Sequence, residues 1–435
     1  MNQSRVEKIR DLHSLGEVAS SGAHDSVAVR RRNLGAVLRY IAEHGPCART
    51  EIAVATGLSH ASVTTMVADL AVRGLVREDG VRSLGGRGRP RRLLRLVARR
   101  AMTVAVQVSA EHVRVALADL AGTLVWQDMS PHDGTAGVPA SLADRIADAV
   151  RRARTAAPGA ELVRVAVAMA GPVAADAAQT VLVAPDFGWL RPVRLRALID
   201  RRLPDLSCPI DVINDANAAA LAEYHAHPGR PRAMVYLAAG TGIGGGVVLD
   251  GVIHTGSHGV AGEPGHMPVA FEGPLCVCGA RGCLVCYAGP EAVLGAAGLG
   301  DLLRRTGLAP AAAELVAALE RGDERALVAI ASAGRALGAA ILSITALLDI
   351  DEVVLGGTLA QWFPWLDPII GQQFAGRSAL VPTLAPEVTP AHLGSDAALL
   401  GVVEFARRAA LSDPATVPRL PRPPVAHRAE TGHPT

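Results

Sequence analysis

A small basic helical head followed by a large α/β body is the architecture that the sequence predicts, and three observations carry it. Apolar faces with helical spacing, broken by glycine, occupy the first hundred residues; short β-rich runs alternate with alanine-rich helices beyond residue 101; and the charge divides at the same boundary. Residues 30–100 hold fifteen arginines against Glu43, Glu51, Asp69, Glu78 and Asp79, whereas the whole chain of 435 residues carries only +2. A compact basic module on an acidic body is the footprint of nucleic-acid binding in one part of the chain. A solvated basic surface is the alternative, and arginine alone is weak support for phosphate binding, because Lys8 is the single lysine beside 42 arginines.

The head reads element by element. Leu34, Val37, Leu38 and Ile41 form one apolar face of a first helix that ends near Gly45 and Pro46. Thr50 is placed to cap a short second helix, Glu51 to Thr56, stopped by Gly57; Ser59 caps a third that runs to about Arg73 before Gly74. Two short helices joined by a glycine turn make a helix-turn-helix. In the third helix Val63, Met66, Val67 and Leu70 face inward, leaving Ala61, Ser62, Thr64, Thr65 and Ala68 outside. Short and hydroxylated side chains let such a helix sit deep in a major groove, so Ser62, Thr64 and Thr65 are candidate DNA contacts. An extended piece starts at Leu75 and Val76, and Gly85 to Arg92 forms the tip of a hairpin before Leu93, Leu94 and Leu96. This is a wing, whose Arg87 and Arg89 are candidates for the minor groove or phosphates.

In the body, runs at 104–108, 113–118, 163–168, 210–213, 233–237 and 353–355 predict a substantially parallel sheet. Its size favours two lobes with a cleft between them. Gly240 to Gly246, after a strand, offers backbone amides to a phosphate or forms a structural glycine turn. Asn214-Asp215 ends another strand and heads the helix from Ala216; Asp215 is either that helix's cap or a carboxylate facing a ligand crevice. His266, Cys276, Cys278 and Cys283, spaced H-x9-C-x-C-x4-C after Glu263, meet the needs of a closed tetrahedral zinc site, with Cys286 competing for the fourth position and buried thiols as the bland reading. Four soft ligands with no open position indicate a structural ion.

Taken together these motifs resemble the ROK family of sugar kinases and, where a winged helix-turn-helix precedes the kinase-like body, sugar-responsive repressors. The most specific part is Gly262-Glu263-Pro264-Gly265-His266-Met267 followed by Cys276-x-Cys278-Gly279-x-x-Gly282-Cys283, supported by Asn214 to Ala220 and the glycine loop. The resemblance implies a two-lobed actin/hexokinase-like (ribonuclease H-like) body in which Asn214, Asp215, Glu263 and His266 line a sugar cleft and His266 also binds zinc. The chain departs from the family's kinases at the first phosphate loop: where these carry Asp-x-Gly-Gly-Thr, alignment on Asp119 puts Gln107, Ser109, Ala110 and Glu111. Gln107 brings no charge to Mg²⁺, Ser109 and Ala110 add Cβ atoms at a close approach, and Glu111 repels phosphate. No working ATP–Mg²⁺ site is therefore expected, and Asp215 is at most a vestigial base. Val285 stands where the family has a glutamate for sugar hydroxyls, which points to an unusual ligand or a weak site.

The expected protein is a sugar-responsive repressor acting on double-stranded DNA as a homodimer or homotetramer, not an enzyme. The alternatives are a working sugar kinase with a DNA-binding head, and a regulator answering to a partner protein. The expected divisions are a disordered extension at 1–28, a winged helix at 29–100, a first lobe at 101–230 completed by a helix at about 396–411, a second lobe with the zinc loop at 231–395, and a disordered tail at 412–435. Uncharged runs such as 233–249 and 336–348 fall short of a bilayer span, and charges interrupt residues 1–28, so a cytoplasmic protein without membrane contact is expected.

Overall fold

The computed structural model describes residues 22–82, 91–132, 137–381 and 385–421. The chain divides into two compact units, one running to Ala98 and taking in the residues from Ala410 onward, the other spanning Arg99–Ala409.

The first unit holds helices α1 (Gly22–His44), α2 (Arg49–Thr56) and α3 (His60–Val72), and strands β1 (Cys47–Ala48), β2 (Val76–Arg82) and β3 (Arg91–Leu96) in the order β1-β3-β2, all antiparallel. Leu34, Val37, Leu38 and Ile41 of α1 are buried with Ile52, Val63, Met66, Val67 and Leu70, so the apolar faces read from the sequence are the core. Each such side chain contributes roughly 1.5–3 kcal/mol on leaving water. Helix α1 starts at Gly22, which corrects the disorder expected up to residue 28; residues 1–21 lie outside the described region. Thr50 is not a cap. Helix α2 begins at Arg49, the Glu51 carboxylate accepts from the Ala48 N–H at 2.8 Å, and the buried Thr50 hydroxyl has no partner among the described residues. Ser59 does cap α3, accepting from the Ser62 N–H at 3.1 Å.

The tail is also corrected. Residues 412–421 show no apolar periodicity, yet Val417 is buried, Arg73 of the α3 C-cap donates to the carbonyls of Ala415 at 3.0 Å and Val417 at 2.5 Å, and the Leu420 N–H donates to Val72 at 2.9 Å. Backbone hydrogen bonds hold this segment, and side-chain pattern does not report them. Residues 422–435 lie outside the described region.

Asp69 of α3 is the ionic centre of this unit, with Arg30 at 3.1 Å, Arg73 at 3.3 Å and Arg419 at 3.1 Å around a carboxylate only 7% exposed. Burial pushes its pKa up, but the hydrogen bond from Arg30 and the charges of Arg73 and Arg419 outweigh that and hold it below the usual 3.8. An acid whose pKa is lowered by folding adds stability above its unfolded pKa and loses it as pH falls through the folded value. Asp69→Asn is therefore expected to destabilise the protein in urea melts at pH 6, and the gap should close as the pH falls below about 4. A pH-independent gap would contradict this.

Among the described residues the second unit contains two five-stranded sheets. The first, β6-β5-β4-β7-β8, comprises β4 (Ala101–Val108), β5 (His112–Asp119), β6 (Leu124–Pro131), β7 (Glu161–Met169) and β8 (Ile210–Asn214). The second, β11-β10-β9-β12-β13, comprises β9 (Ala233–Ala239), β10 (Ile243–Leu249), β11 (Val252–Ile253), β12 (Glu352–Gly357) and β13 (Glu387–Pro390). The expected parallel character holds for half of each: β4-β7-β8 and β9-β12-β13 are parallel, whereas β6-β5-β4 and β11-β10-β9 are antiparallel. Hairpins supply the antiparallel halves, as short connections between consecutive strands must.

One face of the first sheet packs on the helix Pro139–Ala156 through Val104, Val106, Leu142, Ile146 and Val150. Its other face is lined by Ala105, Ala116, Ala118, Ala166 and Ala168, against Leu399, Val402, Val403 and Ala406 of the helix Ala397–Ser412. Small residues bring the elements close: a Cβ at Gly401 would lie 1.7 Å from the Ala218 carbonyl. In the second sheet the core is built on the helix Glu324–Leu348, which is long and apolar enough to cross a membrane by length and composition, and whose Ile330, Leu337, Ala340 and Ile341 are instead buried against β9 and β12 residues such as Val235, Leu237 and Leu355.

Candidate functional site: carboxylates and a His/Cys cluster

The register of the first sheet places Val108 beside Met169 and Met169 beside Asn214, so three parallel strands end level with one another. Ligands of α/β sheets gather at such carboxyl ends. Asn214 is fixed from both sides: its Nδ2 donates to the Gly171 carbonyl at 3.0 Å and its Oδ1 accepts from the Asn217 N–H at 2.9 Å. Asn214 is thus the cap of the helix Asp215–Ala226, and the cap reading of Asp215 is corrected. The Asp215 carboxylate accepts from the neighbouring Ala216 N–H at 2.8 Å. Burial pushes this carboxyl up, the Ala216 N–H pulls it down and the charge of Asp186 pushes it up again, leaving it at about 6.

Glu263 precedes the turn Pro264–His266 and lies within electrostatic reach of Asp215. Burial raises its pKa, His266 lowers it and Asp215 raises it, for a net rise. Glu263 is thus within electrostatic reach of both His266 and Asp215.

The glycine run is more strand than loop. Gly240 to Gly242 turn the chain, but Ile243 to Gly246 belong to β10, paired with β9. A Cβ at Gly245 would lie 2.5 Å from the Tyr236 carbonyl, and one at Gly246 would lie 2.6 Å from the Ala220 side chain, so glycine here permits close packing of strand on helix. In the turn, Thr241 donates to the Asp186 carboxylate at 2.9 Å. Asp186 was not legible as a site residue; its only signal is turn chemistry, Pro185-Asp186-Phe187-Gly188.

The first phosphate-loop position is self-satisfied. Ser109 Oγ accepts from the N–H groups of Glu111 at 3.3 Å and His112 at 3.1 Å, closing the turn on itself. Gln107 Oε1 accepts from Arg114 at 3.3 Å, and Arg114 also pairs with Asp396.

His266, Cys276, Cys278 and Cys283 bring one ligand atom each within 4.8 Å of one another, and Cys286 stands outside this set. His266 Nδ1 lies 3.6 Å from Cys276 Sγ, and Cys278 Sγ lies 3.6 Å from Cys283 Sγ. Tetrahedral bonds of about 2.0–2.3 Å put ligand atoms about 3.5–3.8 Å apart, so this arrangement fits a small tetrahedral ion. The loop is shaped by backbone bonds, Cys276 N–H to Ala280 at 2.8 Å and Gly282 N–H to Pro274 at 2.9 Å. Gly282 has φ +70° and a Cβ there would lie 1.8 Å from the Ala270 carbonyl, so only glycine closes it. Burial raises the Cys276 thiol, but the Cys278 N–H and the neighbouring His266, Cys278 and Cys283 groups bring it below its ordinary value, toward the thiolate a metal requires.

In the first unit, Ala61, Thr64, Thr65 and Ala68 of α3 are exposed and Ser62 half-buried, all clear of the buried stripe. Thr64 and Thr65 return their hydroxyl hydrogens to the carbonyls of His60 and Ala61 at 2.9 and 3.0 Å, leaving oxygen lone pairs and methyl groups outward. Arg87 and Arg89 lie outside the described residues. Part of the basic excess is used internally: Arg49 and Arg92 pair with Glu78, and Arg95 with Asp79.

The ROK family model matches residues 103–409, most of the chain. The chain belongs to the ROK family. Ahead of the ROK body, a MarR family model matches residues 35–82, the winged helix. A xylose repressor of Bacillus spizizenii is 25% identical over 381 residues, covering 87% of this chain and 95% of that protein. A glucokinase of Streptomyces coelicolor is 30% identical over 327 residues, covering 70% of this chain and 98% of the kinase. Among solved structures, a ROK family transcriptional regulator described as a homolog of the E. coli MLC protein superposes with a TM-score of 0.74 at 25% identity, covering 89% of this chain and 98% of that one.

Proposed function

We infer that this ROK protein is a sugar-responsive, DNA-binding transcriptional repressor. The observation that carries the reading is the joining, in one chain, of a winged helix with an exposed row of small and hydroxylated residues to a ROK body; Asn214, Asp215, Glu263 and His266 are assigned to its sugar site. Similarity to a xylose repressor over nearly its full length supports it. Ser62, Thr64 and Thr65, with Arg87 and Arg89 of the wing, are assigned to the operator. Two heads in a homodimer or larger assembly would read paired half-sites, as paired helix-turn-helix modules do. The body is assigned two lobes, 101–230 with the helix Ala397–Ser412 and 231–395, and the protein is placed in the cytoplasm, where its DNA lies.

The ion is assigned as structural zinc held by His266, Cys276, Cys278 and Cys283. Three thiolates and an imidazole suit zinc, and four protein ligands leave no position for substrate. Its place is to hold the segment that carries Glu263 and His266.

The relatedness to glucokinases favours a second reading, a working kinase. Against it stand Gln107 in place of a charged Mg²⁺ partner and the Ser109 hydroxyl, which occupies the Glu111 and His112 amides that a phosphate would need. An ATP-dependent assay over a hexose panel is expected to show no turnover, and sustained phosphorylation of any hexose would restore the kinase reading.

Effector response follows from unequal binding of the ligand to two protein conformations. Asp215→Ala is expected to abolish the effect of sugar on DNA affinity and to leave DNA binding intact. Sugar hydroxyls donating to Asp215 favour its ionised form, so binding lowers a pKa that stands at about 6 in the free cleft. Effector affinity should therefore rise with pH by up to about tenfold per unit below pH 6 and level off above about 7. Titrations at pH 5, 6, 7 and 8 check the sign, and a fall in affinity with rising pH would contradict it.

A further inference from the structure

The turn Gly240–Gly242 is open on its outer side: a Cβ at Gly240 would meet nothing within 4 Å, and the Gly240 N–H closes the turn on the Gly242 carbonyl at 3.0 Å. The donor this turn offers to an anion is therefore the exposed Thr241 hydroxyl. In this chain the hydroxyl is given to a carboxylate instead, Thr241 Oγ1 to Asp186 Oδ2 at 2.9 Å.

Asp186 is held there by its surroundings. It lies in the turn Pro185–Phe187, closed by Phe187 N–H to Ala184 at 3.0 Å and Gly188 N–H to Pro185 at 2.8 Å. The flanking Phe187 and Trp189 are buried, with ring centroids 5.6 Å apart, and the indole N–H of Trp189 donates to the Gly137 carbonyl at 2.8 Å. An anchored turn thus brings a fixed negative charge from the β7–β8 connection onto the β9–β10 turn.

We propose that Asp186 is a specificity-determining residue that bars phosphorylated ligands from the cleft, so that the effector is an unphosphorylated sugar. The proposal rests on the reading of the cleft as a sugar site. A phosphate approaching the glycine turn meets Asp186 at the donor it would use, with Asp215 and Glu263 beyond. That Asp186 and Asp215 sense each other is evident in the upward push Asp186 gives the Asp215 carboxyl, after that of burial. A neutral hydroxyl meets no such repulsion, and carboxylates are its natural acceptors. Discrimination here works by a repulsive element placed against the competitor.

The test measures binding of glucose, xylose, glucose 6-phosphate and inorganic pyrophosphate to the full-length protein by calorimetry, in the parent and in Asp186→Asn and Asp186→Glu. Asparagine keeps an oxygen acceptor for the Thr241 hydroxyl and removes only the charge; glutamate keeps the charge. Removing one like charge beside a bound phosphate is worth about tenfold. Asp186→Asn is expected to bind glucose 6-phosphate and pyrophosphate about tenfold more tightly than the parent, and Asp186→Glu is expected to exclude them as the parent does. Equal affinity for both phosphorylated probes in the parent and Asp186→Asn would overturn the proposal, as would a parent that prefers glucose 6-phosphate to glucose. A parent that binds neither glucose nor xylose would count against the sugar reading, while the phosphate comparison still decides the role of Asp186.

Discussion

Cys276→Ala and Cys278→Ala are expected to abolish metal binding and to lower the thermal midpoint by on the order of 10 °C, because a structural ion contributes its binding free energy to folding. Beyond its backbone hydrogen bonds the loop buries few apolar side chains: Leu275 and Val277 are exposed, and of its thiols Cys276 and Cys283 are buried. Losing the ion should free the segment from Pro264 to Cys283 and with it Glu263 and His266, so effector response should fall together with stability. Cys286→Ala is the control, since Cys286 lies outside the set of four atoms within 4.8 Å, and it should keep one zinc per chain. Metal analysis of the three variants decides the matter, and unchanged zinc in Cys276→Ala and Cys278→Ala would end the assignment.

Thr65→Glu and Ala68→Glu should each weaken operator binding by about a hundredfold at moderate salt while leaving the melting curve unchanged. Both residues are exposed on α3, opposite the buried Val63, Met66, Val67 and Leu70, so the substitutions disturb no packing. A carboxylate placed there meets phosphates and acceptor-rich base edges at close range, and the short side chains that let the helix approach are lost. Anisotropy titrations on operator DNA check this, and parental affinity in both variants would remove α3 from the interface.

Much of this molecule is written in local pattern. The inward stripes of α1 and α3 read directly because helical period and burial coincide, and the His/Cys cluster reads because its four residues fall within eighteen positions. Other features are set by contacts distant in sequence. Asp186 gains its role only where the β7–β8 connection meets Thr241, and no period or motif links the two. The segment 412–421 reads as disordered by composition, and is ordered by hydrogen bonds to Arg73 and Val72 some 340 residues earlier in the chain. The glycine run left two readings open, and its structural one is seen in the β9–β10 hairpin. Its residues 243–246 serve the packing of β10 on Tyr236, Ala220 and Pro264, which a sequence rich in glycine cannot announce. The helix cap falls to Asn214 and not Asp215 for a related reason, since either side chain can cap a helix and only the geometry says which one does.

The central claim is that one chain reads DNA with its head and a sugar with its body, and that the two acts are coupled. Fluorescence anisotropy of the full-length protein on DNA from upstream of its own gene, at fixed salt, with and without a panel of sugars, tests it most directly. The account predicts selective binding over scrambled DNA, and a shift of at least about tenfold in affinity, or 1.4 kcal/mol of coupling, with one unphosphorylated sugar. Selective binding that no sugar alters, or sugar binding with equal affinity for operator and scrambled DNA, would contradict it.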